Sequence, residues 1–312
     1  MDLAESGSLF ELEMSLPDDR LEAKSKRLVG FDARYDRLRR SLRLLMDAEG
    51  VEKWAKRHYG SETQIQELVA DRYPLAIFTG DVGTGKTESA EVSCSRLTKE
   101  LGREGFLFKL STRVRGAGHV GQMSTLINKA FEAVEKEVGK RKMAFLIVDE
   151  GDSLAAARDQ AQSHHEDKVA VNTLIQRIDG VRRFGGRLSV FLCTNRSDAL
   201  DPAILRRAGI VERFERPTTE ERLALFRMDL AGLGFSDAEL IELASRTGGD
   251  SKSKLSYTFS DLRTRVLPEA LARAFPDRKL EVADVFAAIE EISPSPRMLP
   301  GGPGTQSKGD SD

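Results

Sequence analysis

Apolar positions fall into two regimes along the chain. From residue 75 to residue 193, short unbroken apolar runs alternate with longer stretches of helical spacing, and after Pro217 only helical spacing is left. Met143 to Val148 is apolar at every position and too short for a helix, the pattern of a strand covered on both faces. Leu75-Ala76-Ile77-Phe78, Phe106 to Leu110 and Val190-Phe191-Leu192-Cys193 also read as strands. Between them, Glu88 to Glu100 is compatible with a helix. Ser124 to Val138 puts Leu126, Ile127, Ala130, Phe131 and Val134 on one face, with Gly139 as a stop. Upstream, a helical pattern carries Leu38, Leu42, Leu44 and Leu45, and Gln64 to Val69 is helical before Pro74. Downstream of Pro217 the spacing predicts helices over 220–231, 237–246, 260–274 and 282–292. The predicted organisation is a flexible arm over 1–27, an α/β domain over 28–216, a small helical domain over 217–296 and a disordered tail over 297–312.

Composition narrows the partners. A net charge of −2 gives no electrostatic push toward nucleic acid or an anionic membrane. No apolar run approaches the roughly 20 residues of a membrane helix, and the start has no basic-then-apolar signal, so the expected place is the cytoplasm. Cys94 and Cys193 read as two buried thiols in a reducing compartment. His164-His165-Glu166 lacks the second histidine of a zinc-protease motif and reads as a solvated loop.

The chemistry centres on Gly80-Asp81-Val82-Gly83-Thr84-Gly85-Lys86-Thr87, followed by Glu88. Strand, glycine loop and helix come in the order a phosphate-binding loop needs. The glycines let N–H groups turn inward as an anion nest, and the following helix N-terminus adds positive charge behind the phosphates. Lys86 can reach the β- and γ-phosphates of ATP, and Thr87 can hold Mg²⁺. The strand ending at Val148 delivers Asp149, a second Mg²⁺ holder, and Glu150, which can polarise the attacking water. Asn195, just after the strand ending at Cys193, either orients that water or caps the next turn. Arg207 and Arg213 are candidates for an arginine finger onto a neighbouring subunit's γ-phosphate. Arg263, with Arg265 as rival, is a candidate to swing onto the phosphates. Val29 and Gly30, in the apolar turn before the first helix, are candidates to line an adenine pocket.

Taken together these motifs resemble an AAA+ ATPase, over roughly Leu28 to Ile292. Val148-Asp149-Glu150 with Ser153-Leu154-Ala155-Ala156-Ala157-Arg158 is similar to the pachytene-checkpoint (thyroid-receptor-interacting) ATPases. So are Val171-Asn172, Gln176, Ile178-Asp179, Thr194-Asn195, Asp201, Ala203 and Arg207-Ala208. The resemblance implies a three-layer P-loop core with a parallel sheet, followed by an all-helical lid. It also implies a homohexameric ring that threads a HORMA-domain protein through its pore, with ATP bound between the two domains at a subunit boundary. Bacterial members of the family switch off the HORMA activators of cyclic-nucleotide antiphage signalling. The pore loop would be Gly118-His119-Val120-Gly121, with His119 and Val120 at the family's gripping positions. The family's finger slot matches Arg207. In the broader AAA pattern one finger position falls on Arg213 and the other on Ile210, and Arg263 fits the second-sensor arginine with a small shift. No separate recognition domain precedes Leu28, so substrate choice is expected in residues 1–27, on the ring surface or in an adaptor. Two other readings remain open at this point: a clamp-loader-like or helicase-loader-like ATPase acting on DNA, and an ATP-gated scaffold with little turnover.

Overall fold

The computed structural model describes residues 9–111, 122–139, 142–151, 165–249 and 255–297. The chain divides into two compact units. One takes residues up to Thr79 together with Gly85–Phe214, and the other takes Gly80–Thr84 together with residues from Glu215 onward.

The first unit is built on a sheet of strands β1 (Phe10–Leu16), β2 (Leu75–Gly80), β3 (Gly105–Leu110), β4 (Met143–Val148), β5 (Leu188–Thr194) and β6 (Ile210–Phe214). Their spatial order is β1-β3-β4-β5-β2-β6, with β3, β4, β5 and β2 parallel. Among the described residues, helices α1 (Asp19–Ser25), α2 (Phe31–Met46), α3 (Ala48–Tyr59), α4 (Gln64–Ala70), α5 (Lys86–Glu100), α6 (Gln122–Val138), α7 (His165–Val181) and α8 (Pro202–Leu205) belong to the unit.

Burial explains why the central strands are apolar at successive positions. Ala144, Leu146 and Val148 of β4 enter a core with Ile127, Phe131 and Val134 of α6 and Val171, Leu174 and Ile178 of α7. Met143, Phe145 and Ile147 enter a second core with Phe31, Tyr35 and Leu42 of α2 and Val92, Cys94 and Leu97 of α5. Successive side chains point to opposite faces, and helices cover both, so each position is buried. This is the three-layer P-loop arrangement.

The N-terminal region differs from the flexible arm expected over 1–27. Residues 10–16 form β1, antiparallel to β3, and residues 19–25 form α1. Phe10, Met14 and Leu16 are buried in the two cores while Glu11 and Ser15 alternate with them, a period of two that the acidic composition masks. Asp18 caps α1, accepting the Arg20 N–H at 2.8 Å. Helix α3 and strand β6 were not anticipated either.

The second unit holds helices α9 (Thr219–Asp229), α10 (Asp237–Arg246), α11 (Leu267–Ala274) and α12 (Val282–Glu291). Thr218 with Glu221 and Ser236 with Glu239 form capping boxes at the starts of α9 and α10. The single helix expected over 260–274 opens instead as a π-helix, Asp261–Val266. The Leu267 N–H reaches back five residues to Leu262 O, and Pro268 has no N–H to continue the ordinary ladder. Among the described residues no helix is long and apolar enough to cross a membrane.

Candidate nucleotide site

Three neighbouring parallel strands, β4, β5 and β2, bring their carboxyl ends to one edge of the sheet. Open α/β sheets bind ligands at this edge. The glycine loop leaves β2, Asp149 and Glu150 leave β4, and Asn195 leaves β5.

Gly83 and Gly85 have φ of 76° and 88°, a conformation that costs an L side chain energy. Gly83 is constrained twice over, because a Cβ there would stand 2.5 Å from Ser260 Cβ and 2.8 Å from Thr258 Oγ1. The Ser260 N–H donates to Gly83 O at 3.1 Å, and Thr84 Oγ1 donates to Asp81 O at 2.8 Å. Arg216, with its side chain only 6% exposed, fastens the start of the loop. Its Nε donates to Asp81 Oδ2 at 2.6 Å, Nη1 to Ser256 O at 2.6 Å and Nη2 to Ser295 O at 2.8 Å.

Helix α5 begins at Lys86, with Gly85 as its left-handed cap. Lys86 is buried, which is rare for lysine, and Glu88 lies in the first turn. Thr87 Oγ1 donates to Asp149 Oδ2 at 2.8 Å, joining the glycine loop's end to the strand that carries the acids. Asp149 Oδ1 accepts the Glu150 N–H at 2.8 Å. Glu150 is exposed and sits at φ 47°, the one non-glycine residue with positive φ among those described. Left-handed backbone costs a side chain on the order of 1 kcal/mol and concentrates at functional sites. Gly151 lets the chain continue, since a Cβ there would lie 2.4 Å from Leu192 Cδ1.

A cation stands behind Asp149. Lys109, at the end of β3, has Nζ 2.7 Å from Glu11 Oε1, 3.5 Å from Asp149 Oδ2 and 4.0 Å from Glu91 Oε1. Burial works to discharge this ammonium, but Glu11, Asp149 and Glu91 outweigh it and hold its pKa above the ordinary lysine value. Cys193 is buried, and burial followed by the charge of Asp149 pushes its thiol pKa up. It is an unreactive packing residue, as is the buried Cys94.

The other predicted site residues belong to several elements of the two units. Asn195 is half-buried directly after β5. Val29 and Gly30 form the turn into α2, with Gly30 at φ 74° as the cap. Val82 is exposed. Arg207 is bound within its own chain, with Nε and Nη2 on the Asp179 carboxylate at 2.5 and 3.0 Å and Nη1 on Ala203 O at 2.9 Å. Arg213 is exposed on β6. Arg263 lies in the π-helix and pairs with Asp229 at 2.6 and 2.9 Å. His119 and Val120, the rest of the predicted pore loop, residues 153–158 and His164 lie outside the described residues.

Sequence reasoning passed over Lys109, Glu91, Glu11, Arg216 and Gly151. Lys109 carried a signal, being the lone charge in the strand Gly105-Phe106-Leu107-Phe108-Lys109-Leu110. The donors present suit Mg²⁺. Among the described residues no group of three or more His, Cys, Asp or Glu side chains is arranged to hold a metal ion, whereas one carboxylate and one hydroxyl lie 2.8 Å apart at Asp149 and Thr87. Mg²⁺ takes few protein ligands and fills its shell from phosphates and water.

A buried lysine closing a glycine nest, with Thr87 and Asp149 in contact across adjoining elements, defines a P-loop nucleotide-binding protein. Residues 76–216 match the model of the ATPase family associated with various cellular activities (AAA). CD-NTase-associated protein 6 of Escherichia coli (strain KTE188) is 49% identical over 292 residues, covering 93% of this chain and 98% of the relative. Among solved structures, a chain of the E. coli MS115-1 HORMA:CdnC:Trip13 complex matches with TM-score 0.85 at 35% identity, over 94% of this chain and 98% of that one. Rhizobiales Trip13 matches with TM-score 0.69 at 30% identity, over 92% and 100%. The chain belongs to the AAA ATPases, in the branch of the Trip13-like CD-NTase-associated proteins.

Proposed function

We propose that this chain is an ATP-hydrolysing remodeller that pulls on a HORMA-domain protein and so regulates a cyclic-nucleotide antiphage system in the cytoplasm. The observation that carries the partner is the match along almost the whole chain to a Trip13 solved together with HORMA and CdnC. Support for hydrolysis comes from the family and from the joined pair Thr87 and Asp149 with Glu150 at the next position.

In this reading the loop Gly80–Thr87 binds the triphosphate through its N–H groups, and Lys86 neutralises the β- and γ-oxygens. Thr87 and Asp149 hold Mg²⁺, which when bound offsets the charge of the transferred phosphoryl group. Glu150 accepts a proton from the attacking water, and Asn195 orients that water. Val29 and Gly30 contact the base. Arg263 senses the phosphates, and Arg207 or Arg213 reaches the site of the next subunit in a homohexamer. Arg207 has to leave Asp179 to do so. His119 and Val120 grip the threaded segment.

The test is a pull-down with Glu150→Gln in ATP. The variant should retain nucleotide, lose turnover and hold a HORMA-domain protein. Turnover at the parental rate, or equal HORMA capture with and without ATP, refutes the proposal.

A further inference from the structure

We infer that Lys109 competes with Mg²⁺ for Asp149, and that Glu11 on the N-terminal edge strand sets how strongly it competes. The inference rests on the nucleotide-site reading above and concerns how that site is charged.

Lys109 is the only charged residue of β3, and its side chain is 17% exposed, so solvent screens it poorly. Carboxylates from three elements face it: Glu11 on β1, Asp149 at the end of β4 and Glu91 on α5. Lys24 of α1 takes the other oxygen of Glu91 at 2.7 Å. The oxygen nearest Lys109 on Asp149 is Oδ2, the one to which Thr87 donates.

An ion held by Thr87 and Asp149 therefore arrives beside a positive charge. Two cations on one carboxylate repel at short range, and the repulsion is largest where water is scarce. Lys109 has somewhere to go, because Glu11 is already its closest partner at 2.7 Å. Glu11 draws the ammonium off Asp149 and so lowers the Mg²⁺ requirement. The arrangement depends on β1 staying paired, with Leu12 opposite Lys109 in the ladder. Peeling β1 from β3 removes Glu11 and drives Lys109 onto Asp149. The N-terminal strand thereby becomes a route by which a bound partner alters nucleotide loading.

The two ends of the Lys109–Glu11 pair give opposite signs, which general damage to the fold does not. The full chain is held with a fixed concentration of fluorescent ATP analogue while Mg²⁺ is titrated, and anisotropy reads the half-saturating Mg²⁺ without reference to turnover. Glu11→Gln should raise that concentration by about threefold, the scale of one partly exposed charge pair. Lys109→Met should lower it, and the double variant should behave as Lys109→Met alone. Shifts in the same direction for both single variants overturn the inference. Should Lys109→Met fail to fold, Glu11→Gln carries the test by itself, and an unchanged midpoint overturns it. Lys86→Ala is titrated alongside. If it binds the analogue like the parent, the nucleotide-site reading fails, whereas if it loses binding while Glu11→Gln is silent, only the role of Lys109 fails.

Discussion

Arg216→Ala tests how the phosphate loop is held in place. The side chain is nearly buried and donates three bonds, to Asp81, Ser256 O and Ser295 O, at 2.6 to 2.8 Å. Breaking a buried ion pair from one side costs about 3–5 kcal/mol, but Asp81 is 20% exposed and can recruit water, so about 2 kcal/mol is the fair share here. Each carbonyl losing a charged donor adds about 1 kcal/mol once water replaces part of the bond. Because one guanidinium serves all three acceptors the losses overlap, and the total is about 3 kcal/mol. In a unit of roughly a hundred residues that amounts to a fall of about 10 °C or more in its melting transition. Asp81→Asn keeps an acceptor and both carbonyl bonds, so it should cost only about 1 kcal/mol. Circular-dichroism melts of the parent and both variants measure this, with analogue binding as a second readout, since Asp81 belongs to the loop itself. The reasoning is refuted if Arg216→Ala melts with the parent, or if Asp81→Asn costs as much as Arg216→Ala.

Gly151→Ala should destabilise by about 1–3 kcal/mol, because its methyl group collides with Leu192 on β5. Denaturant unfolding should show that penalty shrinking in a Leu192→Ala background, and strict additivity would count against the contact. Asp284, at the start of α12, is held down to a pKa of about 2 by Arg278 and the Glu281 N–H. A depressed carboxylate stabilises the fold above its unfolded pKa near 3.8, and that contribution is lost as pH falls through about 2. Asp284→Asn should therefore lower the melting temperature at pH 7 and lose its effect near pH 2, and an equal drop at both pH values contradicts the assignment. Arg207→Ala and Arg213→Ala separate the finger candidates. The true finger variant binds the ATP analogue normally and fails to hydrolyse, while Arg207→Ala also softens the melt by releasing Asp179.

The parts of this molecule legible in the sequence are those whose physics is local. A strand covered on both faces has to be apolar at each position, so β2, β4 and β5 stand out as runs. The glycine loop is equally local, since φ near 80° at Gly83 and Gly85 and the helix start at Lys86 are fixed within eight residues. Edge elements escape because their signal is half polar. Phe10–Leu16 alternates with acids, and Ile210–Phe214 exposes Val211 while burying Phe214. Charge pairing escapes for another reason. Whether Lys109 meets Asp149, or Arg207 meets Asp179, depends on which strands and helices are neighbours, and the order β1-β3-β4-β5-β2-β6 is not the order of the chain. Lys109 reads in sequence as an anomaly in an apolar strand, and Glu11 as one acid in an acidic stretch. Only the antiparallel pairing of β1 with β3 turns them into a single interaction beside Asp149. The glycine loop and the acids at 149–150 therefore follow from spacing, whereas the charge contacts around Asp149 follow from topology, and substitutions in β1 are where the two can be separated.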